Sequence, residues 1–174
     1  EDHTFIQPEM NLDGSPVSSS RIRACLKVGD VETAERLLGR PYSLETAVVH
    51  GKALGRTLGF PTANQYFPAE RAIPETGVYA TLCHTPYGVY AGVSNFGSHP
   101  TGDDFARVNC ETYIIGMKGD LYGKRIKVEF LTKLRDEQKF DGLGALVAAI
   151  QRDAKRASAF VADRMRRLPP PDPD

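Results

Sequence analysis

Arg125-Ile126-Lys127-Val128-Glu129-Phe130-Leu131 is the stretch on which the fold class turns. Ile126, Val128 and Phe130 alternate with Arg125, Lys127 and Glu129, and a period of two puts the apolar set on one face of a strand and the charged set on the other. The same texture recurs outward from it. Short β-type runs at 47–50, 77–84, 89–96 and 108–115 are separated by Gly, Pro, Asn and Asp, the pattern of an all-β sandwich or barrel. Pro86-Tyr87-Gly88 and Met117-Lys118-Gly119-Asp120 read as turns between neighbouring strands, which predicts antiparallel pairing.

The two flanks are helical. Ser18-Ser19-Ser20 can cap a short helix carrying Ile22 and Leu26, and after Gly29-Asp30 a second runs through Val31, Ala34, Leu37 and Leu38, with Gly39 placed to end it. Two such helices cannot bury a core alone and must pack on something else. Before them, 1–16 shows no helical or strand period and reads as a loop or a cut end. Beyond Asp141 the period lengthens, and Leu143, Leu146, Val147, Ile150, Ala154, Ala157 and Val161 form an apolar stripe on a long helix expected against the barrel. Arg152, Asp153, Lys155 and Arg156 are expected to face mostly outward. Arg164, Arg166 and Arg167 close the helix as a basic cluster favourable to its dipole, and the proline-rich end is expected to be disordered.

A chain of 174 residues accommodates one domain with an appended segment and no second full catalytic domain. Lys plus Arg and Asp plus Glu number 22 each, so no global basic field draws the protein to nucleic acid or acidic lipid, and phosphate binding has to be local. Cys25, Cys83 and Cys110 are odd in number and lack a CxxC pair, which argues against a disulfide framework or a zinc site and suits a reducing cytoplasm. No run approaches the roughly 18 apolar residues of a membrane span, and Glu1-Asp2-His3 does not open a signal peptide.

The chemistry concentrates in Gly51-Lys52-Ala53-Leu54-Gly55-Arg56-Thr57-Leu58-Gly59-Phe60-Pro61-Thr62-Ala63-Asn64. Glycines let a backbone approach a ligand, Lys52 and Arg56 can neutralise phosphate, and Thr62 with Asn64 sets two neutral oxygens on one face of an extended segment. Neutral oxygens beside phosphates suit magnesium, which completes its shell with substrate oxygens and water. No Gly-Lys-Ser/Thr triplet ends the run, so it is not a Walker A loop. On residue types alone, an ordinary Gly-rich β-loop with a capping Thr explains it equally well.

Gly55-Arg56-Thr57-Leu58-Gly59-Phe60-Pro61-Thr62-Ala63-Asn64 resembles the signature of the riboflavin kinase family. Further segments resemble that family in the same order: Gly77-Val78-Tyr79-Ala80, Gly92-Val93-Ser94-Asn95-Phe96-Gly97 with Pro100-Thr101, Glu111-Thr112, Gly119-Asp120-Leu121-Tyr122-Gly123, and Leu134-Arg135-Asp136-Glu137-Gln138-Lys139-Phe140. The resemblance runs from about Pro41 to about Ala157. It implies a mostly β fold, a six-stranded antiparallel Greek-key barrel with a long C-terminal helix and short N-terminal helices. It also implies transfer of the γ-phosphate of Mg-ATP to the 5′-hydroxyl of riboflavin, giving FMN and ADP. Gly51, Arg56 and Thr62 would lie by ATP, Thr62 and Asn64 by Mg²⁺, Arg135 and Phe140 by the flavin, and Glu111 would be the base.

Val17-Ser18-Ser19-Ser20-Arg21-Ile22-Arg23, continuing through Leu38-Gly39-Arg40-Pro41-Tyr42, is similar to the last segment of the adenylyltransferase domain of two-domain bacterial FAD synthetases. The resemblance divides the chain into 1–40 as the end of that domain and a linker, 41–165 as the kinase, and 166–174 as a tail. The nucleotide-binding His motif of the transferase is not in the sequence, so FAD synthesis is not expected from this chain alone. Contact with a separate or missing adenylyltransferase domain is the partner it suggests. A helical cap on the kinase is the alternative reading of 1–40.

Three positions depart from the family pattern: Thr46 where Gly is frequent, Tyr113 where His is usual, and Gly116 where an acidic residue is common. They bear on substrate affinity, not on reaction class. By alternation Glu111 shares a strand face with Asn109, Tyr113 and Ile115, away from Val108, Cys110 and Ile114, where a solvated carboxylate would be equally at home. His3, His50, His84 and His99 show no ligand-like spacing. Two other functions remain open on this reading: a barrel that holds flavin without catalysis, and a fragment that docks on a partner.

Overall fold

The computed structural model describes residues 10–51, 54–68, 70–99 and 107–167, and the side chains of Leu54, Arg56, Ser98, His99 and Arg107 lie outside that description. The chain opens with a two-stranded hairpin of β1 (Asn11–Leu12) and β2 (Ser15–Pro16). Asp13 and Gly14 both have positive φ, 55° and 75°, the conformation an Asp-Gly hairpin turn requires. That dipeptide is the turn signal hidden in a stretch otherwise without period.

Helices α1 (Ser19–Lys27) and α2 (Val31–Leu38) follow as the caps dictate. The Ser18 hydroxyl accepts from the Arg21 amide at 3.2 Å, and Gly39 ends α2 in the left-handed region at φ 70°. Leu26, Val31 and Ala34 are buried in the same cluster as the barrel interior, so the two short helices find their core by closing one end of the barrel.

The barrel is built from β3 (Tyr42–Ala47), then, past the short helix α3 (Leu54–Thr57), β4 (Thr62–Pro68), β5 (Gly77–Thr85), β6 (Gly88–His99), β7 (Arg107–Ile114) and β8 (Arg125–Arg135). Their order is β3-β8-β5-β6-β7-β4, every pair antiparallel. Strand β8 returns beside β5 after the β5-β6-β7 meander, which is the Greek-key connection. The Val49 amide bonds to the Asn64 carbonyl at 2.9 Å and nearly closes the barrel between its outer strands.

The expected strand at 47–50 lies earlier, at Tyr42–Ala47, because pairing with Phe130 through Arg125 consumes the alternating set Tyr42, Leu44 and Thr46. Beyond it Val48 and Val49 make only isolated bridges. Pro86-Tyr87 does close a hairpin, with Thr85 opposite Gly88. Met117 through Asp120 does not join paired strands: β7 pairs with β4 and β6, whereas β8 pairs with β3 and β5. That connection crosses the barrel end, burying Leu121 and bridging Tyr122 to Val48.

Phe67, Tyr79, Phe96, Phe130, Ile126 and Val128 fill the interior. A chain of hydroxyls runs among them, Thr81 to Ser94 at 3.0 Å and Ser94 to Thr112 at 2.7 Å, so these buried polar groups satisfy one another. Outside the barrel, α4 (Leu143–Arg167) lies on Val78, Ala80 and Val93. Its buried residues are Ala149, Asp153, Ala157 and Val161, one every four positions.

Three expectations for this helix change. Leu143 is 59% exposed at its start, because the helix reaches the barrel only a turn later. Asp153 is buried instead of facing outward. Arg164 does more than favour the dipole, since its guanidinium forks onto both carboxylate oxygens of Glu35 on α2. Arg166 and Arg167 belong to α4, pairing with Asp163, and the rest of the expected tail lies outside the described residues. Among the described residues no helix is long and apolar enough to cross a membrane.

Candidate active site

Two cavities open on neighbouring parts of the barrel wall, and Thr62 at the start of β4 borders both. The larger, about 610 Å³, is lined by Gly51, Pro61, Thr62, Ala63 and Asn64 and by the β7–β8 connection from Met117 to Tyr122. The smaller, about 280 Å³, is lined by Gly55, Leu58 and Phe60 from the glycine-rich run, by Asn95, Glu111 and Tyr113 from β6 and β7, and by Arg135, Phe140, Leu146, Ile150 and Asp153. The glycine-rich run therefore divides between two sites.

Strand register explains how these side chains meet. Asn64 faces Glu111 across β4 and β7, and Glu111 faces Asn95 across β7 and β6. Directly opposed residues in an antiparallel pair project to the same side, so a row of two amides and a carboxylate crosses the outer wall. Cys110, Thr112 and Ile114 turn inward and are buried. Glu111 is half-buried and accepts from the Asn109 amide nitrogen at 3.0 Å. Nothing in the spacing marked Asn109 out, because only burial at 2% exposure and this bond distinguish it from a solvated strand residue.

Asn64 is 4% exposed, and its Oδ1 is buried without a hydrogen-bond partner among the described residues. A buried acceptor left unmatched is costly unless something binds it. Its amide packs on Gly51, where an added Cβ would fall 2.3 Å from Nδ2 and 2.6 Å from Oδ1. Only glycine at 51 leaves the amide its place. At Gly55 a Cβ would fall 2.4 Å from the Phe60 carbonyl oxygen, because the Phe60 amide bonds back to the Gly55 carbonyl at 2.7 Å. That tight loop holds Phe60 edge-on to Tyr113, with ring centroids 5.3 Å apart. Arg56 belongs to α3, but its side chain lies outside the described residues, as does Lys52.

Arg135 ends β8 and lies with its guanidinium carbon 5.5 Å from the centre of the Phe140 ring, within cation–π range. Its Nε donates to Asp153 Oδ2 at 2.9 Å, and its Nη2 forms an ion-pair contact with the same oxygen at 2.9 Å. Next to it, the Lys133 ammonium meets Glu75 at 2.7 Å and Asp136 at 2.6 Å. Burial alone would lower the Lys133 pKa, but hydrogen bonds to these two carboxylates more than offset it and hold the ammonium above its ordinary value. The segment after β8 is thus pinned at Lys133 and Arg135 before it passes the smaller cavity. Tyr122 and His50 stack at 3.7 Å beside the larger one, a contact the widely spaced histidines did not suggest.

A family model described as Flavokinase: Riboflavin kinase matches residues 38–161. The chain belongs to the riboflavin kinase family. It is 40% identical over 158 residues to the bifunctional riboflavin kinase/FMN adenylyltransferase of Pseudomonas fluorescens, covering 91% of this chain and 50% of that protein. With the bifunctional enzyme of Bacillus subtilis it shares 38% identity over 149 residues, covering 84% and 47%. The chain spans about half the length of the curated relatives it matches. A crystal structure described as a macrolide-efflux protein from Streptococcus pneumoniae superimposes with a TM-score of 0.79 at 32% identity, covering 87% of this chain and 50% of that one.

Proposed function

We propose that this riboflavin kinase family chain transfers the γ-phosphate of Mg-ATP to the 5′-hydroxyl of riboflavin, releasing FMN and ADP. The observation that carries the reading is the pair of cavities meeting at Thr62, one bordered by Gly51 and Asn64, the other by Glu111, Arg135 and Phe140. A barrel that only held flavin would have no use for the second cavity. The larger takes the nucleotide and the smaller the flavin, so the phosphoryl group passes at their junction.

Transfer of this kind depends on positioning and charge neutralisation more than on covalent help from the protein. Glu111 takes the proton of the 5′-hydroxyl as its oxygen bonds to the γ-phosphorus and the bond to the β-phosphate oxygen breaks. Asn109 holds that carboxylate by its 3.0 Å hydrogen bond. The unmatched Oδ1 of Asn64 and the hydroxyl of Thr62 are neutral oxygens suited to magnesium. Bound there with ATP, magnesium would supply the charge neutralisation that a phosphoryl transfer needs. Gly51 keeps the Asn64 amide in place, and Arg135 with Phe140 receives the flavin ring, while Arg56 is assigned to ATP by the family resemblance alone.

Residues 1–40 are the end of an adenylyltransferase domain in this reading, which suits the overlap with about half of each bifunctional relative. Cys25, Cys83 and Cys110 are all free thiols, which is compatible with the reducing cytoplasm this reading assigns. The test is chromatography of the purified chain with riboflavin and Mg-ATP. FMN accumulates and FAD does not; absence of FMN formation from a folded, riboflavin-binding protein would refute the assignment.

A further inference from the structure

The inner face of α4 carries a charge where an apolar residue would be expected. Asp153 is 3% exposed, with Ala149 and Ala157 one turn to either side of it on the buried stripe. Leu146, Ile150 and Asp153 follow one another at helical spacing and all line the smaller cavity, so Asp153 is the one charged residue that α4 contributes to its wall. Its partner is Arg135, bound through Nε and Nη2 to Oδ2, each at 2.9 Å. The remaining nitrogen, Nη1, donates to the Asp136 carbonyl at 3.0 Å, and Arg156 donates to the Leu134 carbonyl at 3.1 Å. Every nitrogen of the Arg135 guanidinium is therefore committed to an anchor, which sets its plane.

A buried ion pair is a poor device for stability alone, since apolar residues of equal volume commonly serve as well. The location gives this pair a different use, because Arg135, Asp153 and Phe140 border the smaller cavity together. We propose that Asp153 is a positioning residue for flavin recognition: it holds the Arg135 guanidinium flat beside Phe140 and cancels its charge, so the cavity presents a planar, neutral surface to an uncharged ring. A free guanidinium at this point would rotate and would favour anions. The inference rests on the smaller cavity being the flavin site.

The experiment is Asp153→Asn, which keeps size and hydrogen-bonding reach but removes the charge. Riboflavin affinity is read by quenching of its fluorescence, and KM is measured separately for riboflavin and for Mg-ATP. Outer partners of metal ligands, a comparable supporting arrangement, change affinity by about 10- to 100-fold when removed. The riboflavin Kd and KM are accordingly expected to rise about 10-fold while the KM for Mg-ATP stays within about twofold, with Asp153→Glu restoring part of the loss. A folded Asp153→Asn protein that melts earlier but binds riboflavin as the parent does would reduce Asp153 to a structural role and overturn the proposal. Should that variant fail to fold, Arg135→Lys keeps the charge balance and loses the planar fork; parent riboflavin affinity in it overturns the proposal equally. A parent protein that does not bind riboflavin would instead sink the assignment of the cavity.

Discussion

Gly51→Ala tests the link between backbone and metal site most directly, because the smallest possible side chain is predicted to act through a neighbour. Gly51 is not among the residues with positive φ, so alanine meets no backbone strain there. Its Cβ would however fall 2.3 Å from Nδ2, 2.4 Å from Cγ and 2.6 Å from Oδ1 of Asn64. No pair of non-bonded heavy atoms tolerates that approach, and the amide has to leave the place it holds against Gly51 on the wall of the larger cavity. Losing one preorganised charge-stabilising group commonly costs about 2 to 4 kcal/mol in the transition state. At about 1.4 kcal/mol per decade that is a fall of roughly 30- to 1,000-fold in kcat/KM for Mg-ATP. Overpacking can also destabilise by about 1 to 3 kcal/mol, so a melting curve accompanies the kinetics. Steady-state FMN formation with ATP varied, and riboflavin binding measured alone, separate the effects. Because both changes disable the same amide, Gly51→Ala and Asn64→Ala together should cost little more than either alone. A folded Gly51→Ala protein with parent kcat/KM for Mg-ATP, or fully additive costs in the double variant, would refute the reasoning.

Three further outcomes are expected. Glu111→Gln retains binding of both substrates while turnover falls about 10²- to 10⁴-fold, the usual range for a general base; parent turnover would leave the base without support. Arg135→Ala strands the Asp153 carboxylate in a buried site at a cost of about 3 to 5 kcal/mol, and thermal melts should show Arg135→Ala/Asp153→Ala recovering much of it, whereas Phe140→Ala weakens flavin binding with little change in melting. Burial pushes the Cys83 and Cys110 thiols up to about 12, so both stay protonated at pH 8 and a thiol reagent should modify half-buried Cys25 first. Release of one equivalent from the native chain and three after denaturation checks this; equal rates at all three would contradict the burial.

The strand at Arg125 through Leu131 was legible because one face meets the core and the other meets water, and the one at Gly77–Thr85, buried along most of its length, was legible from its β-type residues between turn signals. The strand at Thr62–Pro68 was less so, since Ala63, Asn64, Gln65 and Phe67 are all buried. Burial on both faces erases the alternation from which a strand is read. Turns announced themselves by residue type, but which strands they join did not, because Met117 through Asp120 has turn chemistry whether it closes a hairpin or crosses a barrel end. Caps at Ser18 and Gly39 were readable because they depend on local hydrogen bonds and φ alone.

The candidate site divides along the same line. Residue types pointed to the run from Gly51 to Asn64, and the resemblance to the riboflavin kinase family added Glu111, Arg135 and Phe140. Only the folded chain sorts the described side chains among them into two cavities, since register across β4, β7 and β6 determines which of them share a wall. Asp153 marks the limit most clearly. In sequence it is one charged residue among Arg152, Lys155 and Arg156, and although helical period sets it beside Ile150 and Ala157, its charge assigns it to solvent. Its burial is decided by Arg135, 18 positions earlier, because a carboxylate can leave water only where a cation and its donors are waiting, and that is a property of the packed structure.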